Sequence, residues 1–289
     1  MSQTLYAQTR ALIDRHGLVA KKSLGQNFLV DAHVLKKIIS AADISPDDLV
    51  IEIGPGLGAL TRELAANARQ VVAVEIDRRL IPALEETLAG VSNVSVIQGD
   101  AMKLDLSEVV GESKFKVCAN LPYNIATTLT INMLSSSPKP AVLTLMIQRE
   151  VCDRLLASPG SKSYGALSVI RDYLAEGERA ANVPSNSFLP RPAVDSAVIS
   201  LRPKPPALSG AAEALFFAVV KAAFAKRRKT LANCLSSSDI GIGKQAAHDL
   251  LERLSLRPDA RGEALTTAQF IDLAYSLYYS PTPSGNCLS

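Results

Sequence analysis

The stretch Leu49-Val-Ile-Glu-Ile-Gly-Pro-Gly-Leu-Gly58 decides the fold of this chain. Leu49 to Ile53 is a short apolar run of the kind buried on both faces of a parallel sheet. Gly54, Gly56 and Gly58 then allow a tight turn and a close backbone approach. A helical pattern follows from about Leu57 to Ala68, and its first N–H groups are free to meet an anion or a polar ligand. Strand, glycine turn and helix together predict a nucleoside-cofactor site.

Working outward, the same alternation repeats. Val71 to Glu75 predicts a second strand, Arg78 to about Leu88 a helix, and Val94 to Ile97, Phe115 to Cys118 and Ala141 to Met146 three further strands. A helix over Ile125 to Leu134 separates the last two. Five strands alternating with helices predict an α/β fold with a mostly parallel sheet. Two more extended candidates, around Ala166 to Leu174 and Ala193 to Leu201, are expected to pair as an antiparallel hairpin at the sheet edge. Arg202-Pro-Lys-Pro-Pro-Ala-Leu-Ser-Gly210 reads as a linker. Beyond it Ala211 to Ala225, Lys244 to Leu254 and Thr267 to Leu277 predict three helices of a small all-α domain. The expected organisation is a basic leader over 1–40, a Rossmann-like domain over 41–205, a helical domain over 206–280 and a frayed tail over 281–289.

Composition limits what this fold can serve. The chain has 289 residues, 47% of them apolar and 20% charged, which excludes a disordered or fibrous protein. The longest uncharged stretch, Val117 to Pro138, contains Asn120, Pro122, Asn124 and Asn132 and does not suit a membrane helix. The start, Met1-Ser-Gln-Thr-Leu-Tyr6, lacks the order of an export signal. Cys118, Cys152, Cys234 and Cys287 are too scattered for a metal or disulfide framework. A cytoplasmic location and no metal are therefore expected, and His16, His33 and His248 have no ligand-like spacing. The net charge of +3 is mild, but the surplus is concentrated. Met1 to Ser40 holds six Lys and Arg, including Lys21 and Lys22, against two Asp. Lys221, Lys226, Arg227, Arg228 and Lys229 form a second cluster without an acid, suited to phosphate contacts.

Which cofactor the glycine turn serves depends on later residues. Gly54-x-Gly56-x-x-Ala59 also satisfies a relaxed dinucleotide pattern, and Glu75 stands where an acid holds ribose hydroxyls in either case. Asp100, at the end of the third strand, suits an adenine amino group and serves equally well as a cap for the next turn. Asn120-Leu121-Pro122-Tyr123, at the end of the fourth, is more telling. Hydride transfer has no use for it. An exocyclic amine, whose lone pair is delocalised into its ring, needs two acceptors to hold its hydrogens and aim that pair. The Asn120 side-chain oxygen and the Leu121 carbonyl, stiffened by Pro122, can supply them, with Tyr123 stacked on the base. A plain strand-ending turn is the bland alternative.

These residues resemble the class I S-adenosylmethionine-dependent methyltransferases that act on adenine N6. Gly25-Gln-Asn-Phe-Leu29, Gln148 to Leu155, Ser163 to Ser168 and Phe188-Leu-Pro-Arg-Pro-Ala-Val-Asp-Ser196 narrow the likeness to the ribosomal RNA adenine dimethyltransferases, with the small-subunit branch the nearest. The likeness runs from about Lys21 to the last helix. It implies a seven-stranded sheet and S-adenosylmethionine held by Asn27, Leu29, Gly54, Gly56, Glu75, Asp100 and Asn120. It also implies a target adenine held between Tyr123 and Phe188, although Phe188 beside two prolines also suits a core position. The implied partner is small-subunit ribosomal RNA in an immature subunit, bound by a monomer that dimethylates two adjacent adenosines in a hairpin loop near the 3′ end. Ser23 and Leu24 stand where many relatives carry another basic residue and an aromatic. The rival readings are an antibiotic-resistance enzyme of large-subunit RNA, an assembly factor with little turnover, and a nicotinamide oxidoreductase.

Overall fold

The structure is a computed structural model that describes residues 4–21, 24–123, 125–226 and 228–279. Contacts divide it into two compact units, the first of residues 1–152 and 175–203, the second of 153–174 and 204–289.

The first unit opens with α1 (Leu5–Arg15), capped by the Thr4 hydroxyl. β1 (Phe28–Leu29) and α2 (Ala32–Ala42) follow, the latter capped by Asp31. The main sheet then begins with β2 (Leu49–Ile53), buried at all five positions. α3 (Ala59–Asn67), β3 (Gln70–Glu75), α4 (Ile81–Thr87), β4 (Val94–Gln98), α5 (Leu106–Val110), β5 (Phe115–Asn120), α6 (Ala126–Ser135) and β6 (Leu143–Gln148) continue the alternation. α7 (Arg149–Leu155) crosses into the second unit, and α8 (Ala166–Leu174) lies within it. β7 (Ala175–Val183), β8 (Phe188–Leu189) and β9 (Ser196–Pro203) return to the first.

Seven strands form one sheet in the order β4-β3-β2-β5-β6-β9-β7. β9 runs antiparallel to both neighbours, so the other six are mutually parallel. This is the mostly parallel, Rossmann-like sheet that the sequence predicts. The order reverses between β2 and β5, and a crevice opens beyond the carboxyl ends of strands at such a point. Ile53 and Asn120 end those two strands, so the glycine turn and Asn120-Tyr123 face the same crevice. The core on one side of the sheet joins Val34, Leu35 and Ile38 of α2 to Leu60 and Leu64 of α3 and to Val50, Cys118, Met146 and Val198 of the strands.

One expected element is overturned. Residues 166–174 are helical rather than extended: the helix is enclosed nearly all round, with Ser168, Val169, Arg171, Tyr173 and Leu174 buried and none of its nine residues exposed, so burial leaves no alternation to read. The hairpin partner of β9 is β7, whose sequence, Ala-Glu-Gly-Glu-Arg-Ala-Ala-Asn-Val, holds one β-branched residue. β7 is an edge strand with a register shift between Arg179 and Ala181, and its charged side chains meet water.

The second unit adds α9 (Gly210–Ala225), α10 (Leu231–Ser236), α11 (Lys244–Arg253) and α12 (Thr267–Tyr279). α9, α11 and α12 match the expected helices, while α10 is additional. Segment 153–174 joins this unit although the sequence reading counted it in the 41–205 domain. Side chains explain why: Tyr173 of α8 stacks on Phe216 of α9 at 4.2 Å, Arg171 Nε donates to the Leu155 carbonyl at 2.7 Å, and the Tyr164 hydroxyl donates to the Leu265 carbonyl at 2.7 Å. Among the described residues no helix is long and apolar enough to cross a membrane. The expected tail, 281–289, lies outside them.

Candidate active site

The crevice at the β2/β5 reversal is a cavity lined from four directions. Gly25 to Leu29 come from the leader, Gly54 to Leu57 from the glycine turn, Glu75 and Ile76 from the end of β3, and Asn120 to Tyr123 from the end of β5. Phe188 completes the wall. Nine predicted cofactor or catalytic residues (Asn27, Leu29, Gly54, Gly56, Glu75, Asn120, Leu121, Pro122 and Tyr123) thus meet in one place, with Phe188 the tenth.

Glu75 is fixed by main chain. Its Oε2 accepts from Gly56 N–H at 3.1 Å and its Oε1 from Asp77 N–H at 2.8 Å. Gly56 makes that approach with φ at +60°, and a Cβ there would lie 3.2 Å from the Phe28 ring. Burial raises the Glu75 carboxyl above its ordinary value, and the two main-chain donors offset part of that rise.

The leader is clamped over this acid by residues that sequence reasoning passed over. Gln26 Nε2 donates to Asp77 Oδ2 at 2.7 Å, and Gln26 Oε1 accepts from Lys21 N–H at 2.7 Å. Arg79 NH2 lies 2.6 Å from the same Asp77 oxygen and holds that carboxyl far below the usual range. A glutamine and an aspartate 51 positions apart give no periodic signal; only the position of Asp77 two residues after Glu75 hinted at it.

Asn120 joins the leader to the turn that ends β5. Its Nδ2 donates to the Asn27 carbonyl at 3.1 Å. A carbonyl can only accept, so the amide nitrogen must face Asn27, and Oδ1 is turned away from it with its lone pairs able to accept. The Asn27 carboxamide in turn donates to the Gly25 carbonyl at 3.0 Å and closes the leader turn. Leu121 is buried and its N–H donates to Met146 O at 3.0 Å, which ties the turn to β6. The half-buried Tyr123 shares a hydrogen bond with Ser196 Oγ at 3.0 Å. Burial raises its phenol, so it stays neutral at working pH. β1 pairs with β8 in the register Leu29 to Phe188, which brings the Gly-Gln-Asn-Phe-Leu and Phe-Leu-Pro segments together.

Two predicted residues stand differently. Phe188 is only 4% exposed and packs with Leu29, Val34 and Leu35, so it is a core aromatic as well as part of the cavity wall. Asp100 is not among the residues lining the cavity. Its Oδ1 accepts from Met102 N–H at 2.9 Å, the turn-capping role weighed as its alternative. It nonetheless lies close by in the fold, because Gly99 N–H donates to Glu75 O at 2.9 Å.

Glu52 is the one acid lining the cavity to which the sequence assigns no role. It is 1% exposed, lines the cavity beneath the glycine turn, and its Oε2 has no hydrogen-bond partner among the described residues. Burial, with Glu75 adding to it, raises its carboxyl from an ordinary 4.5 to about 8. Thr61 lies near enough to offset part of that rise, yet its hydroxyl does not close a hydrogen bond of normal geometry.

Of the basic residues, Lys21 Nζ lies 4.0 Å from Asp77 Oδ1 and takes part in the leader clamp. In the second unit Lys221 is exposed on α9, and Lys226, Arg228 and Lys229 are exposed in the turn before α10. Lys22 and Arg227 lie outside the described residues. No group of three or more His, Cys, Asp and Glu among the described residues is arranged to hold a metal ion.

The family profile described as ribosomal RNA adenine dimethylase matches residues 17–277. The chain belongs to that family. It is accordingly an rRNA adenine dimethyltransferase. The chain is 46% identical over 281 residues to the ribosomal RNA small subunit methyltransferase A of Pelotomaculum thermopropionicum, covering 93% of this chain and 95% of the relative. With the protein of the same name from Moorella thermoacetica the identity is 47% over 282 residues, 94% and 97% of the two chains. Among solved structures, a dimethyladenosine transferase from Plasmodium falciparum superposes with a TM-score of 0.74 at 29% identity, over 85% of this chain and 95% of that one. The 23S rRNA methyltransferase ErmE superposes with a TM-score of 0.70, also at 29% identity, over 87% and 99%. The nicotinamide oxidoreductase reading is excluded by this membership.

Proposed function

We propose that this dimethyltransferase acts on the small ribosomal subunit, transferring methyl groups from S-adenosylmethionine to N6 of two adjacent adenosines in a hairpin loop near the 3′ end of 16S rRNA during subunit assembly. The observation that carries the reading is the convergence of Glu75, Asn120 and Tyr123 on one crevice at the sheet reversal. The small-subunit assignment is supported by identities of 44 to 47% to relatives of that name, against 29% to the large-subunit enzyme.

The residues present fit that cofactor. Glu75, already held by two main-chain donors, keeps lone pairs for ribose hydroxyls. Gly54 and Gly56 admit close approach of the chain, Asn27 and Leu29 of the leader close the opposite wall, and Asp100 stands past the end of β4 for the adenine amino group. S-adenosylmethionine supplies an electrophilic methyl group on a sulfonium, and that reactivity is the cofactor's own. The protein contributes position. Asn120 Oδ1 and the Leu121 carbonyl accept the two hydrogens of the target amine, which localises its lone pair and aims it. Tyr123 stacks on the flipped base, and Phe188 forms the far wall with little of its surface open. No side chain has to remove a proton first. Lys221, Lys226, Arg227, Arg228 and Lys229, with Lys21 and Lys22 of the leader, bind RNA phosphates and hold the subunit in register. We place the enzyme in the cytoplasm as a monomer on an immature subunit.

Incubating purified small and large subunits from unmethylated cells with enzyme and labelled S-adenosylmethionine tests the assignment. Label in two adjacent small-subunit adenosines is expected, and label confined to large-subunit RNA would overturn it. Asn120→Ala is expected to abolish methylation while subunit binding persists. Full turnover by that variant would refute the positioning role.

A further inference from the structure

Glu52 is an anomaly that folding alone does not explain. It stands in the middle of a sheet whose other four β2 residues are apolar and buried, and an uncompensated buried carboxylate is costly. Of the groups packed around it only the Thr61 hydroxyl eases its charge, and only in part. From β3 it meets Glu75, another acid; from β5 its register partner is Cys118, a buried thiol; from α3 it meets the Thr61 hydroxyl. The nearest β5 cation, Lys116, is committed to Asp48 at 2.8 Å. Among the described residues none of the interactions that shift Glu52 comes from a cation, and Oε2 is without a hydrogen-bond partner. An apolar residue would pack there at lower cost. What a carboxyl adds is a charge that can appear when a positive ligand enters the cavity it lines.

We propose that Glu52 is the residue through which the site distinguishes a cationic ligand from a neutral one. It is a carboxylic acid while the cavity is empty, gives its proton to solvent when a sulfonium compound occupies the cavity, and keeps it when the corresponding neutral thioether binds. This rests on the cofactor reading above and deepens it. The step is balanced: one O–H bond of the Glu52 carboxyl breaks, the proton leaves to buffer, and the carboxylate and sulfonium neutralise each other at low dielectric. Once methyl transfer removes the sulfonium charge, the carboxyl regains a proton and the thioether product loses its electrostatic hold. Glu75, whose carboxylate is already stabilised by two main-chain donors, is not needed for this switch.

Isothermal titration of the full chain at pH 7 with S-adenosylmethionine and with S-adenosylhomocysteine, in buffers of different ionisation heat, reads the proton directly. A group titrating at about 8 in the empty protein is roughly nine-tenths protonated at pH 7, so about 0.9 proton more should be released with the sulfonium than with the thioether. Glu52→Gln should abolish that difference, which separates Glu52 from the amine of the ligand itself. Equal proton counts for the two ligands in the wild type, or an undiminished difference in Glu52→Gln, would overturn the proposal. Infrared difference spectra of the wild type need no variant: the protonated carboxyl band should disappear with the sulfonium and persist with the thioether, and its persistence with both would also overturn it. Absence of binding heat with either ligand would instead sink the cofactor reading.

Discussion

Gly25→Ala tests whether the leader sets the geometry of the catalytic turn, and Gly17→Ala provides an internal control. Both glycines are left-handed, with φ at +59° and +57°, a conformation that costs an alanine about 1–2 kcal/mol. They differ in surroundings. A Cβ on Gly17 meets nothing within 4 Å, whereas a Cβ on Gly25 would stand 3.1 Å from Pro122 Cβ, 3.3 Å from Pro122 Cα and 3.5 Å from Tyr123 N. Comfortable carbon contacts lie at about 3.5–4.0 Å, so leader and turn must part by a few tenths of an ångström. Pro122 is rigid and its neighbour Leu121 is bonded to β6, so the movement falls on the leader and on the Asn27 to Asn120 hydrogen bond. A displacement of about 1 Å at a reacting centre can cost a hundredfold in rate, and a few tenths should cost about tenfold. Denaturant midpoints and single-turnover methylation of small subunits check this. Both variants should lose similar stability, and only Gly25→Ala should methylate about tenfold more slowly. Wild-type turnover by Gly25→Ala, or an equal loss in Gly17→Ala, would refute the coupling.

Tyr123→Phe keeps the ring and loses only the hydrogen bond to Ser196, so single-turnover rates should fall no more than about threefold, whereas Tyr123→Ala, which loses base stacking worth about 1–3 kcal/mol, should fall ten- to hundredfold. Equal losses would mean that the hydroxyl, not the ring, carries the role. Asp77→Asn removes the charge that Arg79 and Gln26 share and should weaken S-adenosylmethionine binding about tenfold by titration, a loss of about 1.4 kcal/mol of clamping, with saturated turnover little changed. Because the Asp77 carboxyl is held low in the folded protein, this clamp should hold at neutral pH and fail only in strong acid. Glu52 has the opposite sign: it binds its proton more tightly folded than unfolded, so stability should fall as pH rises from 4.5 towards 8. Between pH 5 and 8 that loss amounts to about 3 kcal/mol in the wild type and should be absent in Glu52→Gln; parallel stability profiles in the two proteins would show that the carboxyl is not perturbed.

Much of the fold was legible because the sheet centre is buried on both faces. β2, β3, β5 and β6, each with a neighbour on both sides, are mostly apolar runs closed by turn residues, and Leu49–Ile53 reads as a strand from composition alone. The β7 edge was illegible for the reverse reason. β7 has one neighbour, and water accepts its Glu176, Glu178 and Arg179, so burial leaves no pattern on it. Val169-Ile170 meanwhile looks extended, and the helix there shows only in its packing, where Tyr173 stacks on Phe216 and Arg171 reaches the Leu155 carbonyl. Local propensity lost to tertiary packing there.

The site divides along a similar line. Residues proposed to act through their own chemistry at a strand end, such as Glu75 and Asn120, announce themselves by type and position. Gln26, Asp77 and Ser196 act by meeting a partner from 51 or 73 positions away, and a single sequence carries no trace of such a meeting. Asp100 shows the converse: its position was right for a ligand, yet its carboxylate is satisfied by Met102 N–H, so any contact with an adenine amino group must use its remaining lone pairs. Glu52 belongs to neither group. Its type was visible inside the glycine motif, but its meaning depends on an absence of compensating charge around one oxygen, which only the assembled sheet reveals. A buried acid without a cation is what sequence patterns are least able to distinguish from a paired one. It is also where the fold accepts a stability penalty that a bound positive ligand can relieve.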